Sequence, residues 1–132
     1  MAVAFARLSG VVRIVPSLRE FRERGGVAEA VLGIDLLGTS HEALSVLLEE
    51  LNAVYITHTP DPLCTFHPKM YLFDGRRAAR AIVGSHNLTS GGLETNYECG
   101  LAVDFLLPGE RADWLPFEEA WNKLLPARLP KV

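Results

Sequence analysis

A histidine and a lysine two residues apart, His67 and Lys69, stand at the start of an apolar run. Side chains two apart on a strand point to the same face, so we expect the imidazole and the ammonium to lie side by side. A second run, at residues 78–83, is followed by Ser85 and Asn87. If the two strands are neighbours, a hydroxyl and an amide join the first pair. This set suits an anionic oxygen cluster such as a phosphate, and no carboxylate cluster here indicates a metal.

His67 has the chemistry of a nucleophile. An imidazole can attack phosphorus and form a covalent intermediate, which splits one difficult displacement into two easier ones. The displacement also needs an acid for the leaving oxygen and fixed donors for the phosphoryl oxygens. Lys69 and Asn87 fit those donors, and Ser85 can donate to a phosphate oxygen or hold a second imidazole. Glu98 shares a strand face with the small residues Gly100 and Ala102. A carboxylate on such a face is unusual for a core strand. It is either a satisfied structural acid or, as we favour, the acceptor for the distal nitrogen of His67.

The pattern His-x-Lys, four residues, Asp, followed by Gly-Ser-x-Asn, resembles the HKD motif of the phospholipase D superfamily. The likeness is closer to the nuclease branch, which includes domains of restriction endonucleases and helicase-associated proteins, and it extends over residues 27–105. Asn96-Tyr97-Glu98 is similar to the downstream acidic position of that branch. One departure is the distance from Asp74 to Gly84, which exceeds the usual spacing and predicts a lengthened hairpin through residues 75–77.

The resemblance implies a shared catalytic site. In this superfamily two motifs meet across a two-fold axis, whereas this sequence carries one motif. The chain is therefore expected to form a homodimer with one composite site, and self-complementary two-fold interfaces are common. One His67 would be the nucleophile and the other the general acid. No cofactor is expected.

Three functions are compatible with these motifs. The favoured one is a metal-independent phosphodiesterase, acting as a nuclease. The second is a non-catalytic nucleic-acid-binding or dimerisation module of a restriction or helicase system. The third is a phospholipid hydrolase, which no amphipathic membrane helix or polybasic anchor supports. Taken alone, a histidine on a strand is usually structural and a lysine can extend its amine to solvent. The two motifs together with Glu98 argue against a chance match.

Nucleic acid is the expected partner, with DNA favoured over RNA. The net charge of -3 argues mildly against this, because duplex binding depends on cationic contacts. Locally the balance differs, because Lys69, Arg76, Arg77 and Arg80 are predicted to cluster beside the motif. We expect these four residues and Asn87 to bind the substrate. A helicase or restriction module is a further candidate partner.

Length and composition indicate one globular domain in the cytoplasm. The chain has 132 residues, 48% hydrophobic and 22% charged, and we expect one domain over residues 1–132 with a motif core at residues 53–105. The first strand starts almost at Met1, which indicates a minimal or trimmed domain. There is no membrane-spanning apolar run and no signal-peptide pattern. Cys64 and Cys99 form neither a metal spacing nor a disulfide framework, which favours a reducing compartment.

An α/β fold is predicted to position these groups. Alternation and apolar runs predict strands at residues 2–6, 27–34, 53–57, 66–74, 78–83 and 96–105. Helical spacing predicts helices over residues 11–21, 43–51 and 114–125. The order strand-helix-strand-helix-strand predicts parallel pairing at the start, with right-handed crossovers. The result is a mixed sheet flanked by helices on both faces, a phospholipase D-like single domain.

Local signals mark the boundaries of these elements. Thr39 and Glu42 match a capping box, with Thr39 at the N-cap of the second helix. Residues 88–95 form a predicted polar loop. Every second residue from Tyr97 to Phe105 is apolar, so these side chains are predicted to form the buried face of the last strand. Two prolines after residue 125 are expected to end the fold.

Overall fold

A computed structural model describes residues 1–125 of the protein. Within them six strands form one sheet: β1 (Ala2–Val3), β2 (Glu29–Gly33), β3 (Ala53–Thr57), β4 (Lys69–Asp74), β5 (Ala78–Gly84) and β6 (Gly100–Leu106). Their order in space is β3-β2-β1-β4-β5-β6. The first three strands are parallel, and β4 to β6 continue from β1 in antiparallel pairs. The predicted mixed sheet, parallel at its start, is confirmed.

Helices lie on both faces of the sheet, as predicted. They are α1 (Leu8–Glu23), α2 (His41–Glu50) and α3 (Arg111–Leu124). On one face, Val11 of α1 and Leu47 of α2 are fully buried in a cluster with Leu32 of β2. On the other face, Trp114 of α3 packs on Phe105 of β6, with ring centroids 5.5 Å apart. Burying each large apolar side chain contributes about 1.5–3 kcal/mol. The apolar stripes of the helices therefore hold them against the sheet.

The boundary of α2 differs from the prediction by one residue. Ser40, not Thr39, is the N-cap, and its Oγ accepts from the Ala43 N–H at 3.2 Å. The Thr39 hydroxyl is engaged elsewhere, because it donates to the Gly33 carbonyl at 2.6 Å and accepts from the Ala6 N–H at 3.1 Å. These two bonds tie the end of β2 to the segment after β1. Thr39 therefore stabilises the edge of the sheet and not the helix.

The last strand also begins later than predicted. A π-helical turn spans Gly91–Thr95 in place of the expected polar loop, and β6 starts at Gly100. Tyr97 is fully exposed and Leu101 is 68% exposed, whereas Phe105 is buried. The prediction that the apolar side chains from Tyr97 to Phe105 form one buried face is therefore wrong. Its physical reason is that α3 packs over the C-terminal half of β6 and leaves the first half uncovered.

Antiparallel pairing brings the two motif segments to one edge of the sheet. Val3 at the end of β1 pairs with Lys69 at the start of β4, and Gly84 at the end of β5 pairs with Gly100 at the start of β6. We call this edge, with the segments that lead into β4 and out of β5, the site edge. The opposite ends of β4 and β5 are joined by the hairpin at residues 75–77, as the longer spacing predicts.

The described residues end at Leu125, directly after α3. The prolines predicted to end the fold lie outside them. Across residues 1–125, no helix combines the length and the apolar character needed to cross a bilayer.

Candidate active site

His67 and Lys69 meet at the site edge, as their spacing predicts. The Lys69 Nζ lies 2.8 Å from Nδ1 and 2.9 Å from Nε2 of the imidazole, and it donates to the His67 carbonyl at 3.2 Å. Lysine has only donors, so in this contact Lys69 donates and one ring nitrogen of His67, set by the tautomer, accepts. Attack on phosphorus also needs a ring nitrogen with a lone pair. His67 is exposed, and its ring is therefore open to a substrate.

The segment after β1 holds His67 in place. The Phe5 ring lies edge-on to the imidazole, with centroids 5.9 Å apart and an interplanar angle of 80°. The Ala4 N–H donates to the Pro68 carbonyl at 2.9 Å. The main chain after His67 and one edge of its ring are thus both fixed. No sequence signal marks Phe5, because it is far from the motifs in sequence and is an apolar residue of common type.

Lys69 provides a charge that is largely shielded from water. The residue is 8% exposed. Burial lowers the pKa of Lys69 from its ordinary value, and the charge of Glu98 opposes part of that shift. A shielded charge interacts more strongly with a developing phosphoryl charge than one in bulk water. Lys69 therefore has the position and the environment of an oxygen clamp.

Ser85 and Glu98 form a second hydrogen-bonded unit on the site edge. The Ser85 hydroxyl donates to Glu98 Oε2 and accepts from the Cys99 N–H at 3.0 Å. The Asn96 amide donates to Glu98 Oε1 at 3.3 Å. The hydrogen bond from Ser85 is the largest cause that lowers the pKa of Glu98. Burial opposes it, while the Asn96 bond and the charges of His86 and Lys69 add to it. The carboxylate is therefore held in its ionised form.

The prediction that His67 donates a hydrogen bond to Glu98 is wrong for the single chain. Within residues 1–125, the Glu98 carboxylate bonds Ser85 and Asn96, and the His67 ring contacts Lys69. The reason is that Glu98 precedes β6 while His67 precedes β4, with β5 between these two strands. Glu98 instead bonds Ser85, and its charge favours the ammonium of Lys69.

Asn87 lies on the site edge because its segment pairs with the chain after β1. Asn87 Oδ1 accepts from the Phe5 N–H at 3.2 Å, and the Leu88 N–H donates to the Phe5 carbonyl at 3.0 Å. A parallel bridge between Ala6 and Leu88 continues this pairing. The side-chain oxygen is therefore used within the fold. The amide nitrogen, which makes no side-chain hydrogen bond within residues 1–125, is the atom that can donate to a substrate oxygen.

The prediction that three arginines lie beside the motif is wrong. Arg76 and Arg77 are in the hairpin at the edge opposite His67, because β4 from Lys69 to Asp74 carries the chain about 17 Å across the sheet. Arg80 forms a bidentate pair with Asp104, with 2.7 Å between Nη2 and Oδ2. Their binding of substrate stays a prediction.

Asp74, the aspartate of the motif, is also outside the site. It ends β4 at the edge opposite His67. One of its carboxylate oxygens lies 3.9 Å from the guanidinium of Arg111, the first residue of α3. This contact links the sheet to the helix on its second face. In this chain Asp74 therefore has the position of a structural residue.

A mixed sheet with an imidazole–ammonium pair at the edge where β4 begins defines a phospholipase D-like α/β domain. Residues 12–105 match the family described as "Cardiolipin synthase, PLD-like domain". This match spans well over half of the chain, and the chain belongs to that family of phospholipase D-like domains. The predicted resemblance to the superfamily and the predicted fold class are confirmed.

Two solved structures share the fold. NucT from Helicobacter pylori aligns with a TM-score of 0.65 and 15% identity, over 93% of this chain and 75% of that one. A phospholipase D family member, Nuc from Salmonella typhimurium, aligns with a TM-score of 0.58 and 20% identity, over 92% of this chain and 75% of that one. No curated protein matches the sequence. Family and fold together support a phospholipase D-like phosphodiesterase.

Proposed function

We propose that the protein is a metal-independent phosphodiesterase that cleaves nucleic acid, DNA in the first instance, through a phosphohistidine in a site shared by two copies of the chain. The contact between His67 and Lys69 at the site edge is the observation that carries this proposal. The likeness of the motifs to the nuclease branch, and the neighbours NucT and Nuc, support nucleic acid as the substrate class. The exposed, unpaired Cys64 and Cys99 fit a reducing compartment such as the cytoplasm.

The proposed reaction has two displacements at phosphorus. First, a nitrogen of one His67 attacks phosphorus, the bond to the leaving oxygen breaks, and the second His67 gives its proton to that oxygen. Next, the second His67 takes a proton from water, whose oxygen attacks phosphorus and displaces the first imidazole. Lys69 and the Asn87 amide bind the non-bridging oxygens, where negative charge builds in each transition state. These groups supply the nucleophile, the acid and the positive charge without a divalent ion.

Two observations support the shared site. The reaction needs two imidazoles, and one motif provides one. Large apolar side chains are also exposed on both sides of the site edge, with Leu37 at 84% and Leu63 at 95% on one side and Tyr97 and Leu101 on the other. Apolar side chains that line an interaction surface are left exposed in the single chain. A second copy of the chain covering the site edge would bury them and bring the two His67 rings together.

Cleavage in the presence of a chelator tests the function. The purified protein is expected to cleave a fluorescent single-stranded or duplex oligonucleotide at an unchanged rate in excess EDTA, because Lys69 takes the place of a metal charge. Activity that disappears with EDTA and returns with magnesium would contradict the mechanism. Binding without cleavage, measured by fluorescence anisotropy, would instead favour a non-catalytic module of a restriction or helicase system.

Replacement of Glu98 tests the second hydrogen-bonded unit. Glu98→Gln keeps the shape and an acceptor for Ser85 but removes the charge that acts on Lys69. Turnover should fall roughly ten-fold or more, the scale of one charge-assisted hydrogen bond, while the melting temperature changes little. Glu94→Gln is the matched control, because Glu94 is a nearby exposed carboxylate paired with Arg13. Loss of thermal stability in Glu98→Gln alone would make Glu98 a structural acid.

A further inference from the structure

A carboxylate outside the motifs binds both ends of the loop that leads into His67. This loop, residues 58–66, connects β3 to the segment before β4. Asp35 Oδ1 accepts from the Thr59 N–H at 3.1 Å and lies 2.7 Å from Nδ1 of His58. Asp35 Oδ2 accepts from the Phe66 N–H at 3.3 Å. One side chain thus joins the first and the last residues of the loop.

The Asp35 carboxylate is shielded from solvent and is hydrogen-bonded within the fold. Its side chain is 9% exposed, whereas that of His58 is 63% exposed. The hydrogen bond from Thr59 is the largest cause that lowers the pKa of Asp35, and the bonds from His58 and Phe66 add to it against the opposing effect of burial. An ionised carboxylate only accepts hydrogen bonds, which matches the donors that surround it.

The middle of the loop is exposed, whereas its last residue, Phe66, packs against a core cluster on the sheet. Leu63, at its middle, is 95% exposed, so no core anchors this part of the chain. At the end of the loop the Phe66 ring packs on Gly33, where a Cβ would lie 3.0 Å from Phe66 Cδ1 and 2.9 Å from the Ala4 carbonyl oxygen. The last residue of β2 therefore contacts the Phe66 ring, and Asp35, just after β2, holds its amide. The next residue is His67.

We infer that Asp35 is a positioning residue, whose carboxylate fixes the main chain at Phe66 and through it the imidazole of His67. Asp35 is not expected to touch the substrate. The inference rests on the proposed function, since the effect on rate presupposes that His67 reacts with phosphorus. A small displacement of a reacting group is costly: about 1 Å can reduce the rate about 100-fold.

Asp35→Asn is the test, because it keeps an acceptor for Thr59 and replaces the acceptor for Phe66 with an N–H donor. We expect kcat for oligonucleotide cleavage to fall about 100-fold with KM little changed, since the groups that bind the substrate are intact. Hydrogen exchange of the Phe66 amide should become faster, and the His67 ring resonances should shift. The matched control is Asp61→Asn, which alters an exposed carboxylate in the same loop; within residues 1–125 this carboxylate accepts from the Leu63 N–H alone.

The outcomes separate this inference from the proposed function. Fast exchange of the Phe66 amide in the wild-type protein would overturn the inference without any variant. An unchanged kcat, or equal losses in Asp35→Asn and Asp61→Asn, would also overturn it. A wild-type protein that does not cleave nucleic acid would overturn the proposed function. The exchange and ring measurements would still report whether Asp35 holds Phe66 and His67, because neither needs catalysis.

Discussion

A dimer of one wild-type subunit and one His67→Ala subunit is expected to keep less than about one hundredth of the wild-type cleavage rate. Such a dimer has one His67, whose imidazole can serve as nucleophile or as acid but not as both. Loss of general acid–base catalysis alone costs about 100- to 10,000-fold. The fold should be unaffected, because His67 is exposed and its removal leaves no cavity in the core.

The mixed dimer can be isolated with two different affinity tags, and light scattering gives its mass. A mixed dimer with His41→Ala is the matched control, because His41 is an exposed histidine at the start of α2. It should cleave at the wild-type rate. If the His67→Ala mixed dimer keeps half of the activity, each subunit has a complete site of its own. A monomer at micromolar concentration that cleaves at full rate would reject the shared site in the same way.

Lys69→Met is expected to slow cleavage by about 100- to 1000-fold, the cost of removing one donor from a transition-state clamp. Methionine has a similar stem and no charge. Because Lys69 is only 8% exposed, replacing its ammonium with an apolar group should leave the free energy of unfolding unchanged or raise it. Activity should therefore fall without any loss of stability, which a loss of packing cannot explain.

Lys123→Met, at an exposed position of α3, is the control for a general change of charge. It removes the same charge from a residue outside the motifs and should not alter kcat. Rates from a fluorescent oligonucleotide and unfolding in urea measure the two quantities. Unfolding of Lys69→Met at low urea, with a proportional loss of rate, would make Lys69 a structural residue.

Local sequence patterns predicted those parts of the site that depend on strand geometry. The contact between His67 and Lys69 was expected from the two-residue period of a strand, although β4 begins at Lys69 and His67 lies in the segment before it. Ser85 and Glu98 were each identified, but not their hydrogen bond to one another. That bond depends on how the segments beside β5 and β6 approach each other, and this is a property of the folded chain.

Other features could not be predicted, because they join residues that are far apart in sequence. The bond from Phe5 to Asn87 spans 82 residues, and that from Phe66 to Asp35 spans 31. The opposite error occurred with Arg76, which is close to Lys69 in sequence and far from it in space. An extended strand separates neighbours in sequence by about 3.3 Å for each residue.

The distance between the hairpin at residues 75–77 and the site edge has a use in fluorescence experiments. A dye on a cysteine at position 76 would report on binding without touching the reacting groups. Both native cysteines must first be replaced, because Cys64 is exposed in the loop before His67 and Cys99 is exposed beside Ser85. A maleimide dye added to the unmodified protein would attach at the site edge and block the surface it was meant to observe.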